Sequence, residues 1–279
     1  MSLNYDLNSL TDLYTESTRL DDELRKRTTQ SFLLKAQYSF TDRFAIESLV
    51  PFIHQNRTIF GNFGGEFSES SFGIGDPIFL MLYKLVDSDF NWRLGTGPQL
   101  PLGSTTKRNS RDLLMVEDLQ PGSGALDWIF FSSLEYNSPK RPSLLWYSNL
   151  VYSSTGMNRI ARGGNLEYEF GNDIQIILGT SDQFLVLNNL INLGLNLRYR
   201  YASEDEVNGN INPGTGGKWL FTRLTSGFNF SPSTSINISY ERAVFTQVVD
   251  TQLSPTFVLN IGFSKAFDFN KNETNVINF

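Results

Sequence analysis

The feature that most constrains the fold is a strict alternation of apolar and polar residues from Leu185 to Tyr201. Odd positions are almost all Leu, Ile or Tyr, and even positions carry mostly Asn and Arg. Because successive side chains of a strand point to opposite faces, this pattern predicts a strand with one apolar face and one polar face. The run is long enough for a membrane strand, which needs about 9–11 residues.

The same alternation recurs along the chain, and turn-forming residues separate the runs. Short connections at residues 41–43, 87–89, 137–142, 180–183 and 231–234 alternate with longer ones at 15–28, 58–72, 104–123, 156–164, 203–217 and 249–254. Tight periplasmic turns and longer extracellular loops are typical of bacterial outer-membrane barrels. The predicted fold class is therefore all-β: a transmembrane up-and-down antiparallel β-barrel of about 12 strands, with both termini periplasmic.

The predicted barrel forms a single domain over residues 1–279, in which residues 268–279 form a periplasmic C-terminal tail. The predicted strands are residues 2–13, 30–40, 44–57, 73–86, 90–103, 124–136, 143–155, 165–179, 184–202, 218–231, 235–248 and 255–267.

Composition excludes several other classes of protein. Charged residues make up 19% and aromatic residues 14%, yet no apolar run approaches the roughly 18–20 residues of a membrane helix. A net charge of −6 argues against binding nucleic acid. With no Cys and one His, we expect no disulfide, no cofactor and no metal site. Met1–Asn4 lacks signal-peptide features, so we expect a mature chain with an added Met, located in the outer membrane of a Gram-negative bacterium.

Alternation alone does not distinguish a soluble barrel, apolar inside, from a membrane barrel, apolar outside. Length, aromatic content and loop asymmetry favour the membrane. Arginine facing lipid near the bilayer centre costs roughly 2–4 kcal/mol, so Arg198 and Arg200 should face the lumen. Arg242 and Lys265 fall on the lipid-facing parity, which predicts either an interfacial position or bulges in their strands. The candidate lumen-lining residues are Lys35, Arg93, Glu167, Glu169, Asp173, Asn192, Asn196, Arg198, Arg200, Arg223 and Glu241.

Three Gly-rich stretches occur in a characteristic order: Gly73–Asp76, Gly97–Gly103 and Asp118–Trp128. In order and spacing they resemble the Bacteroidetes-like members of the outer-membrane transporter family of the meta-pathway of phenol degradation. The resemblance covers most of the chain and implies a barrel with a transport role. From the residues alone, the motifs predict bends and bulges at strand ends. Asp76 and Asp127 either pair with lumenal Arg residues or cap turns.

Four further features each have two interpretations. His54 is either a catalytic base in an outer-membrane lipid hydrolase or, as we favour, a polar rim or lumen residue. Residues 104–123 either fold into the lumen or form a solvated external loop, which we favour. The acidic loop after Glu204 is either a calcium site or, as we favour, a flexible loop. The four Trp residues are interpreted as interface girdles.

The leading functional hypothesis is a passive outer-membrane channel, embedded in lipid, for small hydrophobic or aromatic solutes. Twelve strands fall between the filled interior of eight-stranded barrels and the water channel of sixteen-stranded ones. One alternative is an accessory barrel with a plugged lumen that docks partner proteins of unknown identity. The other is the hydrolase, although we do not expect an enzyme.

Overall fold

The computed structural model describes residues 1–60, 65–161, 165–186 and 189–267, excepting the side chains of 159–161 and 165. The predicted tail, residues 268–279, lies outside these ranges. The barrel strands are β1 (Ser2–Thr15), β2 (Arg25–Ser39), β3 (Phe44–Phe60), β4 (Glu66–Ile74, continued by Ile78–Asp87), β5 (Phe90–Gln99), β6 (Asp127–Ser138), β7 (Arg141–Ser154), β8 (Asp173–Val186), β9 (Asn189–Ala202), β10 (Gly217–Ser231), β11 (Thr234–Val248) and β12 (Thr251–Lys265).

Each barrel strand pairs antiparallel with its neighbours in the chain, and β1 pairs with β12 to close the ring. The prediction of a closed barrel of twelve antiparallel strands is confirmed. Closure pairs β1 with β12 along their length, so neither is a free sheet edge in lipid, where each unsatisfied backbone group costs several kcal/mol. In the described residues, no helix is long and apolar enough to cross a bilayer.

One face of the wall is apolar and exposed, and the other is polar. On β9, Leu193, Leu195 and Leu197 are exposed, whereas Asn196 between them is buried. Side chains on the polar face meet across an intervening strand: the Asn196 amide on β9 donates to the Tyr147 hydroxyl on β7. Such contacts need converging side chains, so the polar face is the concave interior of the barrel.

Several predicted strand boundaries are wrong. Residues 165–169 are not part of β8 but belong to a small outer sheet on the extracellular side, formed by Met157–Ala161, Asn165–Glu169, Glu206–Val207 and Asn210–Ile211. The predicted turn at residues 180–183 lies inside β8, which continues to Val186. Strand β4 begins earlier than predicted and is interrupted at residues 75–77.

Of the two cations on the lipid-facing parity, Arg242 is exposed just before a bulge in β11, and Lys265 is exposed at the end of β12. The β10–β11 register shifts beside Ala243 and Phe245, directly after Arg242. In the β1–β12 pairing, the register shifts twice around Leu10, and the Thr256 hydroxyl accepts the backbone N–H of Thr11 at 3.0 Å. Lys265 ends β12 at the periplasmic rim, with its ammonium over the Phe267 ring.

Candidate functional site

The barrel interior is the candidate site, and nine of the eleven predicted lumen residues lie on the inward rows of barrel strands. They are Lys35, Arg93, Asp173, Asn192, Asn196, Arg198, Arg200, Arg223 and Glu241. Glu167 and Glu169 differ from the expectation, because they lie in the outer sheet rather than in a barrel strand.

The most buried of these residues is Glu241 on β11, which joins two arginines from different strands. Its carboxylate accepts Nε of Arg223 at 2.9 Å and Nε of Arg198 at 3.1 Å. Arg198 also donates its Nη2, and Nη2 of Arg223 lies 2.9 Å from the carboxylate. Arg198 reaches Glu241 across β10 and stacks 4.1 Å from the Phe221 ring. A carboxylate buried this deeply needs charged partners, which the two arginines supply.

A second ion pair lies above this cluster, towards the extracellular side. Arg200 Nε donates to the Asp173 carboxylate at 2.6 Å, and its guanidinium lies 5.2 Å from the Trp219 ring. Trp219 is buried and donates its indole N–H to the Ser254 hydroxyl. The girdle interpretation is therefore wrong for Trp219, whereas Trp92, Trp128 and Trp146 are exposed on the outward face.

Towards the periplasm, two further pairs line the wall. Lys35 Nζ lies 2.7 Å from the Glu47 carboxylate, joining β2 to β3. Arg93 on β5 pairs with Glu135 on β6. Below them, a cavity of about 650 Å³ opens at the periplasmic end, lined in part by Lys35, Gln37 and Lys265.

The opposite side of the interior carries an apolar patch beside the Lys35–Glu47 pair, because Leu80 is paired with Glu47 across β3 and β4. Ala45, Leu80, Leu82 and Ile129 form a buried inward-facing cluster on β3, β4 and β6, which we call the apolar wall. In a ring of twelve strands, β4 and β5 lie opposite β10 and β11. Leu80 and Ile129 lie seven to nine residues above the periplasmic ends of their strands, as do Arg223 and Glu241. At mid-height, the apolar wall therefore faces the Arg198–Arg223–Glu241 cluster.

The three Gly-rich motifs meet at one carboxylate. Asp76, which is buried, accepts the backbone N–H of Gly103 at 2.7 Å and that of Ser123 at 2.6 Å. The Ser123 hydroxyl donates to Asp76 at 2.8 Å, and Asp127 accepts the backbone N–H of Gly156 at 2.9 Å. Of the two predicted roles, binding of backbone turns describes both aspartates, rather than pairing with arginine.

The segment joining β5 to β6, residues 100–126, is here called the inner loop. Its Leu119 carbonyl accepts the Ser71 hydroxyl at 2.6 Å, and its Gln120 carbonyl accepts the Gln55 amide at 3.3 Å. Asn109 donates to Glu69, and Arg27 pairs with Asp118. These partners lie on the inward rows of β2, β3 and β4.

Burial gives the same location for the inner loop, because Met115 and Leu119 are almost completely buried. The favoured interpretation of residues 104–123 as a solvated external loop is wrong. The loop occupies the extracellular half of the lumen.

His54 lies on the outward row of β3, not in the lumen. Its Nε2 is 3.0 Å from the Ser70 hydroxyl on β4, and its ring lies edge-on to Phe72. The pair matches part of the hydrolase hypothesis. Among the described contacts of His54, no third group orients the imidazole, as triad chemistry requires.

The acidic loop after Glu204 is ordered by its own side chains. Asp205 accepts the Tyr168 hydroxyl and, at 2.8 Å, the backbone N–H of Gly171. Because these donors occupy the Asp205 carboxylate, the arrangement is a structural tie between the outer sheet and the barrel rim. Groups of acidic or His residues placed to hold a metal ion are absent from the described ranges.

Sequence reasoning missed the acids that complete the wall pairs. Glu47, Glu69 and Glu135 lie on inward parity beside predicted strands or within them, and each meets a cation on the neighbouring strand. Their parity was readable, but the cross-strand register that selects each partner was not.

No family model matches the chain, and no curated protein matches it. Among solved structures, the chain is similar to an outer-membrane channel of Pseudomonas putida F1, with 12% identity, 95% of each chain covered and a TM-score of 0.69. The β-domain of the Bordetella autotransporter BrkA has 10% identity, a TM-score of 0.50, and coverage of 95% of this chain and 98% of that one. The transport unit of the Escherichia coli autotransporter AIDA-I has 8% identity, the same TM-score, and coverage of 95% and 89%.

At these identities the likeness concerns the fold. The shared fold is that of outer-membrane barrels, one of which is a channel. Together with the closed ring and its apolar outer surface, it locates the chain in the outer membrane of a Gram-negative bacterium.

Proposed function

We propose that the protein is a passive outer-membrane channel for small hydrophobic or aromatic solutes. The observation that carries the proposal is the two-sided interior, in which the apolar wall faces the Arg198–Arg223–Glu241 cluster at mid-height. The apolar side chains keep 6–8% of their surface exposed, so a solute with an apolar body contacts that remaining surface on one side and polar groups on the other. Such a combination is typical of small-molecule sites.

The inner loop is the constriction of this proposed channel. Its buried part, around Met115 and Leu119, lies in the extracellular half of the lumen. The loop is held by hydrogen bonds to Asp76, Ser71 and Gln55. A solute entering from outside passes the loop before it reaches the apolar wall. The resemblance to the phenol-degradation transporter family supports an aromatic solute.

Purified protein in planar bilayers and in liposomes tests the proposal. We expect discrete conductance steps, and swelling of liposomes in small aromatic solutes but not in large sugars. Shortening the inner loop should increase both rates. A barrel that carries no current and allows no swelling, with or without the loop, would contradict a channel function.

The loop-filled lumen also favours a second candidate, an accessory barrel that docks partner proteins. This candidate predicts no flux in the intact protein and a stable partner that co-purifies. The outward-facing His54–Ser70 contact is the observation that favours a third candidate, a lipid hydrolase. It predicts phospholipid cleavage that His54→Ala abolishes, and absence of cleavage in the unaltered protein would exclude it.

A further inference from the structure

We infer that the lumen selects anions, and that its solutes are small organic anions with an apolar body and an oxyanion head. This inference rests on the proposed channel function and narrows its solute class. The chain as a whole is acidic, with a net charge of −6, so composition alone would point to cations.

The basic and acidic members of the ion pairs differ in how much of each side chain is exposed to a solute in the lumen. In six pairs along the inward rows, the base is more exposed than the acid. Side-chain exposure is 40% for Lys35 against 8% for Glu47, and 31% for Arg223 against 1% for Glu241. The other four pairs are Arg57–Glu69, Arg93–Glu135, Arg198–Glu241 and Arg200–Asp173. The wall therefore exposes its cations more than its carboxylates, with the smallest difference at Arg93–Glu135, 33% against 27%.

The second observation is the imbalance of charge and donors around Glu241. One carboxylate serves two guanidinium groups, which leaves a local excess of one positive charge. Its two oxygens already accept three hydrogen bonds from Arg198 and Arg223, and Arg198 also donates Nη1 to Gln175 at 3.2 Å. A guanidinium carries five N–H donors, so the pair has more donors than Glu241 accepts. A passing oxyanion can use those that remain.

Other inward-facing acids are shielded from a solute by burial or by hydrogen-bond donors. Asp76 and Asp127 are buried and accept backbone N–H groups, and Asp6 accepts the Asn260 amide at 2.9 Å. Three pairs reverse the pattern, because the acid is the more exposed partner in Arg27–Asp118, Arg108–Asp112 and Lys84–Asp87. The first two involve the inner loop and the third lies at the periplasmic rim, so none is at mid-height.

The apolar body of the solute follows from the facing surface. Leu80 and Ile129 lie on the opposite side of the ring from Arg223, seven to nine residues above the periplasmic ends of their strands, as Arg223 does. A solute with a carboxylate or similar group at one end can place that end on Arg223 and its remainder on the apolar wall. Electrostatic focusing in a low-dielectric cleft concentrates the favoured ion there.

The test is the reversal potential of the intact protein in planar bilayers under a potassium chloride gradient. We expect permeability to chloride to exceed that to potassium. Arg223→Gln should lower this ratio by about fivefold, because one charge roughly 8 Å away in water changes the local concentration of each ion by about twofold, in opposite directions for chloride and potassium. Lys35→Gln should act in the same direction and keeps the test available if Arg223→Gln fails to fold.

The matched control is Lys218→Gln, which removes one charge from an exposed outward-facing position on β10 and should leave the ratio unchanged. A ratio at or below one in the unaltered channel would overturn anion selection while leaving the channel function in place. Absence of any conductance would instead overturn the proposed function, and the inference with it.

A blocking experiment tests the solute class. Benzoate should reduce the chloride current more than acetate, which lacks the apolar body, and more than benzyl alcohol, which lacks the charge. Ile129→Ser should weaken the block by benzoate without changing the reversal potential. Equal block by benzoate and acetate, or by benzoate and benzyl alcohol, would overturn the assignment.

Discussion

The carboxylate of Asp76 accepts both the backbone N–H and the hydroxyl of Ser123, at 2.6 and 2.8 Å. With the N–H of Gly103, these bonds hold both ends of the inner loop to strand β4.

Replacing Asp76 should therefore release the inner loop. Hydrogen bonds to a charged group contribute about 1.5–3 kcal/mol each, so Asp76→Ala should lower the free energy of unfolding by several kcal/mol. We expect a larger and noisier single-channel conductance, measured in planar bilayers. Asp42→Ala, in an exposed periplasmic turn, is the control and should behave as wild type. An unchanged conductance in Asp76→Ala would refute the role of the loop as a constriction.

Gly97 in the second Gly-rich motif should tolerate no side chain. A Cβ at this position would lie 1.8 Å from the carbonyl oxygen of Phe79 on the neighbouring strand. Gly97→Ala should therefore prevent formation of the heat-modifiable folded band in cold SDS electrophoresis. Gly194→Ala is the matched control, because the nearest atom to its Cβ would be at 3.4 Å, an ordinary contact. Normal folding of Gly97→Ala would mean that this strand pairing is wrong.

Trp219 should differ from the other three tryptophans in its contact with lipid. It is buried on the inward side, whereas Trp92, Trp128 and Trp146 are exposed outward. Brominated lipids should quench most of the tryptophan fluorescence and leave a residual emission. This unquenched emission should disappear in Trp219→Phe and persist in Trp128→Phe. Complete quenching in the unaltered protein would contradict the inward position of Trp219.

Tyr168 should resist ionisation at alkaline pH. Burial, together with the neighbouring Asp205 carboxylate, raises the pKa of Tyr168 well above its usual value of 10.0. Because the folded-state pKa is raised, the contribution to stability is complete below about pH 10 and is lost as the pH rises further. The phenolate absorbance that develops between pH 10 and 11 should be the same in wild type and in Tyr168→Phe. A smaller rise in Tyr168→Phe would show that Tyr168 titrates normally.

The strand count and the inward parity were accessible from sequence because both depend on local alternation. The Leu185–Tyr201 pattern assigns Arg198 and Arg200 to the same row, which is where they lie. The wrong turn at residues 180–183 has a physical cause. In a membrane barrel the inward positions are polar, so Ser181 and Gln183 imitate turn residues while lying within β8.

Periodicity also failed to separate barrel strands from the outer sheet. Glu167 and Glu169 alternate with apolar residues as a barrel strand would, but this period is common to every two-faced sheet. The inner loop was less accessible still. Its position depends on contacts with Ser71 and Gln55, tens of residues away, and no local pattern encodes them.

The pairing of β1 with β12 has a consequence for assembly. Apart from β1 and β12, the strands that pair in the barrel follow one another directly in the chain. The inner-loop contacts involve residues 27–158, and the Arg198–Arg223–Glu241 cluster uses residues 198–241. The two halves of the chain can therefore satisfy their interiors separately. Only the seam between the first and last strands must join distant segments, and loop-closure entropy grows slowly with length, by about 0.6 kcal/mol per doubling. The β1–β12 pairing can thus be the last to form, after the inner loop and the Arg198–Arg223–Glu241 cluster have assembled in their own halves of the barrel.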